Sequence, residues 1–533
     1  MEAVKRTEWI IAILLSLIVL FLLIARAKHA GGLWRDECAA VQLARMPSFA
    51  DIARNFQHEA FPLLFPATIR AWTNVFGTSD AALRCFGLAV GVMLVCVVWF
   101  NSRVIGSGVP LLSLTLIGLN TSFLTWGTSI RGYGFGSVLI VLAFGLILKV
   151  ILEPTLIRIT VTSLVCLASV HCLLHNTVLL LAIGLSAVTL CLVRHQLKRA
   201  IVILGVGMLC LTSLLPYVGP YSSGSAWNIV VISTVTLSSL WSELNSALGK
   251  PSPIIAWVWY ISVLTLIGGS VWRLYVIRHN KASQELDFLL FGILVSITSV
   301  FGYYVFLRVL SYTTRAWYYL ALISALGAAL DLLAANLSKI GWIRLARLTF
   351  AIMALIGLPL ADWPKIIERQ TSIDIVAHKL EESAAPADLI VVSPWQFGIP
   401  FSWYYHGATP WVTLPVISDH QIHRYDLFKA KMVSPRPIDD VANLIGATLR
   451  SGRHVWLVGG IKLPPDGEAA LSLPPAPNSK FGWDNVAYME SWKQQMGVFV
   501  HAHALRGNWV SLAAGTVNNL ESVPLAVVQG WRD

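Results

Sequence analysis

This sequence carries little charge. Of 533 residues only 13% are Asp, Glu, Lys or Arg, while 56% are hydrophobic; soluble domains carry about 25% charged residues. So few charges cannot cover a soluble chain of this length, and the apolar content excludes disorder and collagen. Cysteine is scarce as well. All seven lie in 1–361, most of them inside apolar runs, so no disulfide framework is implied. No HExxH, EF-hand or cysteine-based metal motif occurs, and Gly459-Gly460 lacks the spacing and lysine of a phosphate or dinucleotide loop.

What is present is a formal net charge of +11, unevenly placed. Residues 1–361 hold 25 of the 39 Lys+Arg and 12 of the 28 Asp+Glu, a net of +13, while 362–533 carry a net of −2. No basic helix stands above the charges that flank apolar runs, so nucleic acid is not an expected partner. The runs lie near 9–25, 84–101, 104–122, 134–152, 157–174, 176–193, 200–217, 254–276, 286–307, 316–334 and 344–361. Each is read as a membrane helix, about eleven spans, and the first as retained rather than cleaved. With the N-terminus inside, the inner loops collect Lys5/Arg6, Arg103, Lys149/Arg158, Arg194/Lys198/Arg199, Arg273/Arg278/Lys281 and Lys339/Arg344/Arg347. An odd count then puts 362–533 outside.

The expected division is a membrane domain, 1–361, and a soluble outer-side domain, 362–533. Within the first, outer loop 26–83 has helical periodicity at 48–57 and 62–76, with one apolar face suited to a membrane surface. In the second, helices at 371–384, 437–450 and 484–495 alternate with strands at 388–394, 410–416 and 454–460. Late strands are expected at 497–503 and 508–513, and a Pro-rich loop at 463–481. That alternation reads as a small α/β or α+β domain.

Polar residues at the outer ends of the runs need a reason. They are Trp34-Arg35-Asp36-Glu37, His58-Glu59 before Phe61-Pro62, Arg84, and Ser129-Ile130-Arg131-Gly132-Tyr133-Gly134 with two flexible glycines. His171 and His175 are spaced i,i+4, as on one helical face, and Arg308, Tyr312 and Arg315 bracket a short loop before Trp317-Tyr318-Tyr319. Solvated acids, interfacial aromatics and core histidines explain each group singly. Arginines on the outer side lack the topogenic role of the inner ones and suit a phosphate. The smoothly apolar spans disfavour a crossing path, so a transporter of a lipid-linked glycan, or a non-catalytic envelope assembly protein, is the alternative to chemistry at the outer boundary.

These pieces, in this order, resemble the GT-C fold glycosyltransferases that use polyprenyl-phosphate sugars, in particular the bacterial glycosyltransferase-39 or RgtA/B/C/D-like group. The resemblance runs through "WRDE" at 34–37, "HEAFPLLFPATIRAWTNVFGTSDAALR" at 58–84, "SIRGYG" at 129–134 and "RVLSYTTRAWYYL" at 308–320, and covers 1–361. It implies inverting transfer of a sugar from a polyprenyl-phosphate donor to a glycan, lipid or protein acceptor at the outer face of a bacterial inner membrane. The N-terminus is then cytoplasmic and the C-terminal domain periplasmic, with membrane lipids as the remaining partners. It implies Asp36 as general base, Glu37 as its neighbouring alternative and Glu59 as the second acid. His58, Arg84, Arg131, Tyr133, His171, His175, Arg308, Tyr312 and Arg315 fall to substrate binding. No cofactor is firmly implied; a divalent cation stays open, with Asp36, Glu59, His171 and His175 of the right residue types. Ala60-Phe61-Pro62 stands where aminoarabinose transferases carry Lys-Pro-Pro, which turns the expectation away from that reaction.

Overall fold

The computed structural model describes residues 2–59, 61–106, 108–249, 253–278 and 283–533. Ala60 and Lys281, both used above, lie outside them. The chain forms two compact units. One comprises Met1–His29, Phe61–Val218 and Ser233–Ile367; the other comprises Ala30–Ala60, Gly219–Ile232 and Glu368–Asp533.

The first unit is helical and apolar on its outside as well as inside. On the helix Glu2–His29, Ala12, Leu15, Val19 and Leu22 are buried while Ile10, Leu14, Leu17, Phe21 and Ile24 are exposed. A helix apolar on both faces belongs in a bilayer. Among the described residues nine helices are long and apolar enough to cross a membrane: Glu2–His29, Asp80–Ile105, Gly132–Leu152, His175–Val193, Leu197–Asn228, Ile255–Ile277, Gln284–Leu310, Ala316–Leu337 and Gly341–Ile366.

This is two fewer than the eleven apolar runs. Run 157–174 forms the 17-residue helix Leu156–Cys172, shorter than a usual span. Run 104–122 is not one helix. It breaks into Leu111–Ser113, a wide helical turn at Leu114–Gly118 and another at Phe123–Gly127, nearly all of it buried. Polar side chains sustain the break. Asp331 Oδ1 accepts from the Leu112 N–H at 3.3 Å, and its Oδ2 from Ser113 Oγ at 3.2 Å. Asn120 accepts from the Phe123 N–H at 2.9 Å and donates to the Ala247 carbonyl at 3.1 Å. Irregular backbone at membrane depth is tolerated only where protein buries and pairs it in this way.

The second unit holds a five-stranded mixed sheet in the order β2-β1-β3-β5-β4. Its strands are β1 (Leu389–Val392), β2 (Trp411–Thr413), β3 (His454–Val458), β4 (Ala504–Trp509) and β5 (Leu525–Trp531). β1 pairs in parallel with β2 and β3; β5 runs antiparallel to β3 and β4. The two-residue period divides the core. Ile390 and Val392 face Val376, Ala377 and Leu380 of the helix Ile373–Ser383, while Leu389 and Val391 face Val441, Ile445 and Leu449 of Asp439–Arg450. The expected strand at 497–503 is instead the end of the helix Asn485–His503. Trp492, Met496 and Val500 are buried at i, i+4 and i+8, and this helical spacing overrides the local alternation.

Candidate active site

In the second unit, the helix Arg35–Ala44 starts at Trp34, whose backbone is extended. Glu37 reaches back so that its Oε2 accepts from the Trp34 N–H at 3.2 Å, and its side chain is wholly buried. That commits Glu37 to the helix start. Asp36, one position earlier, keeps its side chain 18% exposed and sits 3.4 Å from Arg35 Nε. The Arg35 N–H donates to Glu521 Oε1 at 2.9 Å. Burial pushes the Glu521 carboxyl up to about 7, with Arg35 pulling the other way.

Glu59 follows the short 3-10 turn Phe56–His58 and is buried, 1% exposed at its side chain. Its Oε1 accepts twice from one residue, His423: from Nδ1 at 2.7 Å and from the backbone N–H at 3.2 Å. The opposite ring nitrogen, Nε2, lies 3.5 Å from Asp36 Oδ1. Two of the three acids named from the sequence, Asp36 and Glu59, therefore meet on the two edges of one imidazole.

Around them four rings stack nearly parallel. His58 lies 5.1 Å from Trp227, Trp227 6.2 Å from Tyr425, and Tyr425 6.1 Å from His423, at interplanar angles of 9°, 10° and 13°. Arg424 binds Asp426 through two nitrogens, at 2.8 and 2.6 Å, and Asp419 at 2.7 Å. Burial works against ionisation of Asp426, but Arg424 outweighs it and holds the carboxyl below its usual range. Burial also lowers His58, assisted by Arg424 and opposed by Asp426 and Glu59, so the ring favours its neutral form.

The sequence reading missed His423, Trp227, Tyr425 and Glu521. One signal was present: Asp419-His420-Gln421-Ile422-His423-Arg424-Tyr425-Asp426 is dense in titratable side chains. Trp227 and Glu521 carried none, since neither sits in a motif.

In the membrane unit, Arg131 precedes the helix Gly132–Leu152, is buried, and stands 4.5 Å from the Phe61 ring centre. Phe61 meets Tyr133 edge-on at 5.3 Å. The glycines beside them are contact points rather than hinges. A Cβ on Gly134 would lie 1.7 Å from the Gly127 carbonyl oxygen, and one on Gly132 would lie 2.6 Å from the Phe61 ring. His175 is enclosed by Tyr133, Tyr303, Phe306 and Tyr318 at 5.3 to 6.3 Å. His171 does not share its helical face as the spacing predicted, because the chain turns extended at Leu173 and each histidine sits in its own helix. His171 instead pairs with Tyr217 Oη at 2.8 Å and Ser213 Oγ at 3.0 Å. Arg84 is buried within Asp80–Ile105, Arg308 and Arg315 are exposed, and Tyr312 is half-buried. No group of three or more His, Cys, Asp or Glu disposed to hold a metal ion occurs among the described residues.

No family model matches the chain, and no curated protein matches it in sequence. Solved structures do resemble it. ArnT from Cupriavidus metallidurans, bound to undecaprenyl phosphate, is 12% identical with a TM-score of 0.50, covering 85% of this chain and 93% of that one. The oligosaccharyltransferase of Archaeoglobus fulgidus in its apo form is 11% identical with a TM-score of 0.49, covering 85% and 69%. The likeness to ArnT shows a shared fold of the GT-C kind, a multi-span helical membrane part with a C-terminal domain built on a mixed sheet.

Proposed function

We propose that this chain is a membrane glycosyltransferase that moves a sugar from a polyprenyl-phosphate donor to a glycan, lipid or protein acceptor at the outer face of a bacterial inner membrane. The observation that carries this reading is the pairing of Asp36 and Glu59 on His423, in a chain with the fold of a protein solved with undecaprenyl phosphate. Asp36 is the general base. Of the three candidate acids it alone is only half-buried; Glu37 and Glu59 are buried and engaged by backbone N–H groups. Asp36 takes the acceptor proton as the acceptor atom bonds to the anomeric carbon. The bond from that carbon to the phosphate oxygen breaks on the opposite side, and polyprenyl phosphate leaves with the electron pair. In the membrane unit, Arg131, Arg84, Arg308 and Arg315 bind the phosphate, with Tyr133 and Tyr312 as hydrogen-bond partners. His58, His171 and His175 shape these regions by packing. The inner-loop lysines and arginines support a cytoplasmic N-terminus and a periplasmic 362–533.

One observation favours transport of a lipid-linked glycan as the second reading: the broken, buried segment 111–127 is the kind of element transporters use. Purified protein in lipid vesicles, offered labelled polyprenyl-phosphate sugars and a membrane extract as acceptor, separates the two. The proposal expects label covalently attached to acceptor. Donor crossing the bilayer with its sugar still attached, and no labelled acceptor, contradicts it.

A further inference from the structure

The two contacts of His423 are unequal, and the inequality carries information. A carboxylate oxygen only accepts, so Glu59 Oε1 at 2.7 Å requires a proton on Nδ1. A charge-assisted N–H···O bond is about 2.7–2.9 Å long. The 3.5 Å from Nε2 to Asp36 Oδ1 exceeds that, so the Asp36 edge of the ring carries no such bond in this arrangement. Glu59 is buried, with its Oε1 doubly engaged by His423, whereas the Asp36 side chain is 18% exposed.

We propose that His423 is a positioning residue that couples the two acids, with Glu59 acting on Asp36 only through it. The proposal rests on the glycosyltransferase reading and deepens it. Glu59 fixes the imidazole so that Nδ1 carries the proton and Nε2 is an acceptor aimed at Asp36. Before transfer, Asp36 and Nε2 have no proton between them. The acceptor O–H bond breaks as its oxygen bonds to the anomeric carbon. The proton moves to Asp36, which then donates it to Nε2. The proton ends in the Asp36–His423 pair and the electron pair leaves on the phosphate. The bond to Nε2 exists only once Asp36 has begun to accept the proton, so it favours the transition state over the ground state. His423 thus receives the proton that Asp36 takes without touching the acceptor, and residue 423 on a distant loop completes a site begun at residue 36.

Two measurements on the full-length protein in lipid nanodiscs test this. The first is sugar transfer by wild type, His423→Ala, His423→Asn, Glu59→Gln and the Glu59→Gln/His423→Ala double variant. His423→Asn keeps a donor for Glu59 and removes Nε2, which guards against simple misfolding. Each single variant is expected to lower kcat at least about tenfold, with KM changed less than threefold. The double variant is expected to be no worse than the poorer single, and added imidazole to restore His423→Ala but not Asp36→Asn. Additive losses, absent rescue, or kcat of His423→Asn within twofold of wild type would overturn the proposal. The second is 15N NMR of histidine-labelled protein, with His423 assigned by its loss in His423→Asn. A protonated Nδ1 that shifts in Glu59→Gln supports the coupling, and an Nδ1 resonance unmoved by that change overturns it. A wild type that transfers no sugar counts against the glycosyltransferase reading alone, and the NMR result still decides the coupling.

Discussion

Adjacent acids can have opposite duties. Asp36 and Glu37 are neighbours in sequence, yet Glu37 spends its carboxylate on the Trp34 N–H while Asp36 faces His423. Glu37→Gln keeps an acceptor oxygen, and Glu37→Ala removes it. The second is expected to cost about 0.5–2 kcal/mol in chemical denaturation, the usual value of a lost helix-start contact. The first is expected to keep both stability and transfer, and a Glu37→Gln variant that folds but transfers nothing would move the base from Asp36 to Glu37. Glu521 gives a test by pH. Its carboxyl is held at about 7 in the folded protein, against about 4.3 unfolded. The folded state therefore keeps a proton that the unfolded state releases. Glu521 disfavours folding increasingly as pH rises through that window, and by a constant amount above it. Replacing it with Gln is expected to remove part of the fall in thermal midpoint between pH 4.3 and 7, as read by calorimetry in detergent. An unchanged slope would contradict the assignment.

At the scale of the element, the membrane helices were legible because hydropathy over some twenty residues is a local property. Run 104–122 was not, because what breaks it is non-local: Asp331 reaches Leu112 and Ser113 from 219 and 218 residues away. The late strands went astray for a related reason. Residues 497–503 alternate, but burial of Met496 and Val500 extends the preceding helix through them. Of the candidate site, Asp36 and Glu59 could be picked out as acids beside apolar runs. The imidazole between them could not, because its partners are 387 and 364 residues away. The glycines of the SIRGYG segment offer a contrast. Gly134→Ala puts a Cβ on the Gly127 carbonyl, while Gly184→Ala, within His175–Val193, meets nothing within 4 Å. Gly134→Ala is expected to lower the thermal midpoint and the yield of folded protein. Gly184→Ala is expected to leave both unchanged or raise them, since Gly within a helix is about 0.5–1 kcal/mol less favourable than Ala. Equal midpoints for the two variants would show that the close approach does not constrain the fold.

At the scale of the whole molecule, the few charges divide along the chain: the excess of Lys and Arg lies in 1–361 and the remainder is near neutral. The compact units divide differently, since the second takes in Ala30–Ala60 and Gly219–Ile232 as well as Glu368–Asp533. Val230 joins its core, Asn485 Nδ2 donates to the Val230 carbonyl at 2.5 Å, and Trp227 stacks on Tyr425. Removing the buried Trp227 side chain is therefore expected to destabilise this unit by about 3–5 kcal/mol, with faster proteolysis of 368–533 in the intact protein. Proteolysis at the wild-type rate in Trp227→Ala would mean that the 219–232 segment contributes no stability.

The assignment of Asp36 as the base of a sugar transfer is tested by the transfer rate of Asp36→Asn beside wild type, both in nanodiscs with a defined polyprenyl-phosphate sugar. The expected result is a fall in kcat of about 10²–10⁴-fold, with thermal midpoint and donor binding unchanged. Wild-type turnover in Asp36→Asn would contradict it.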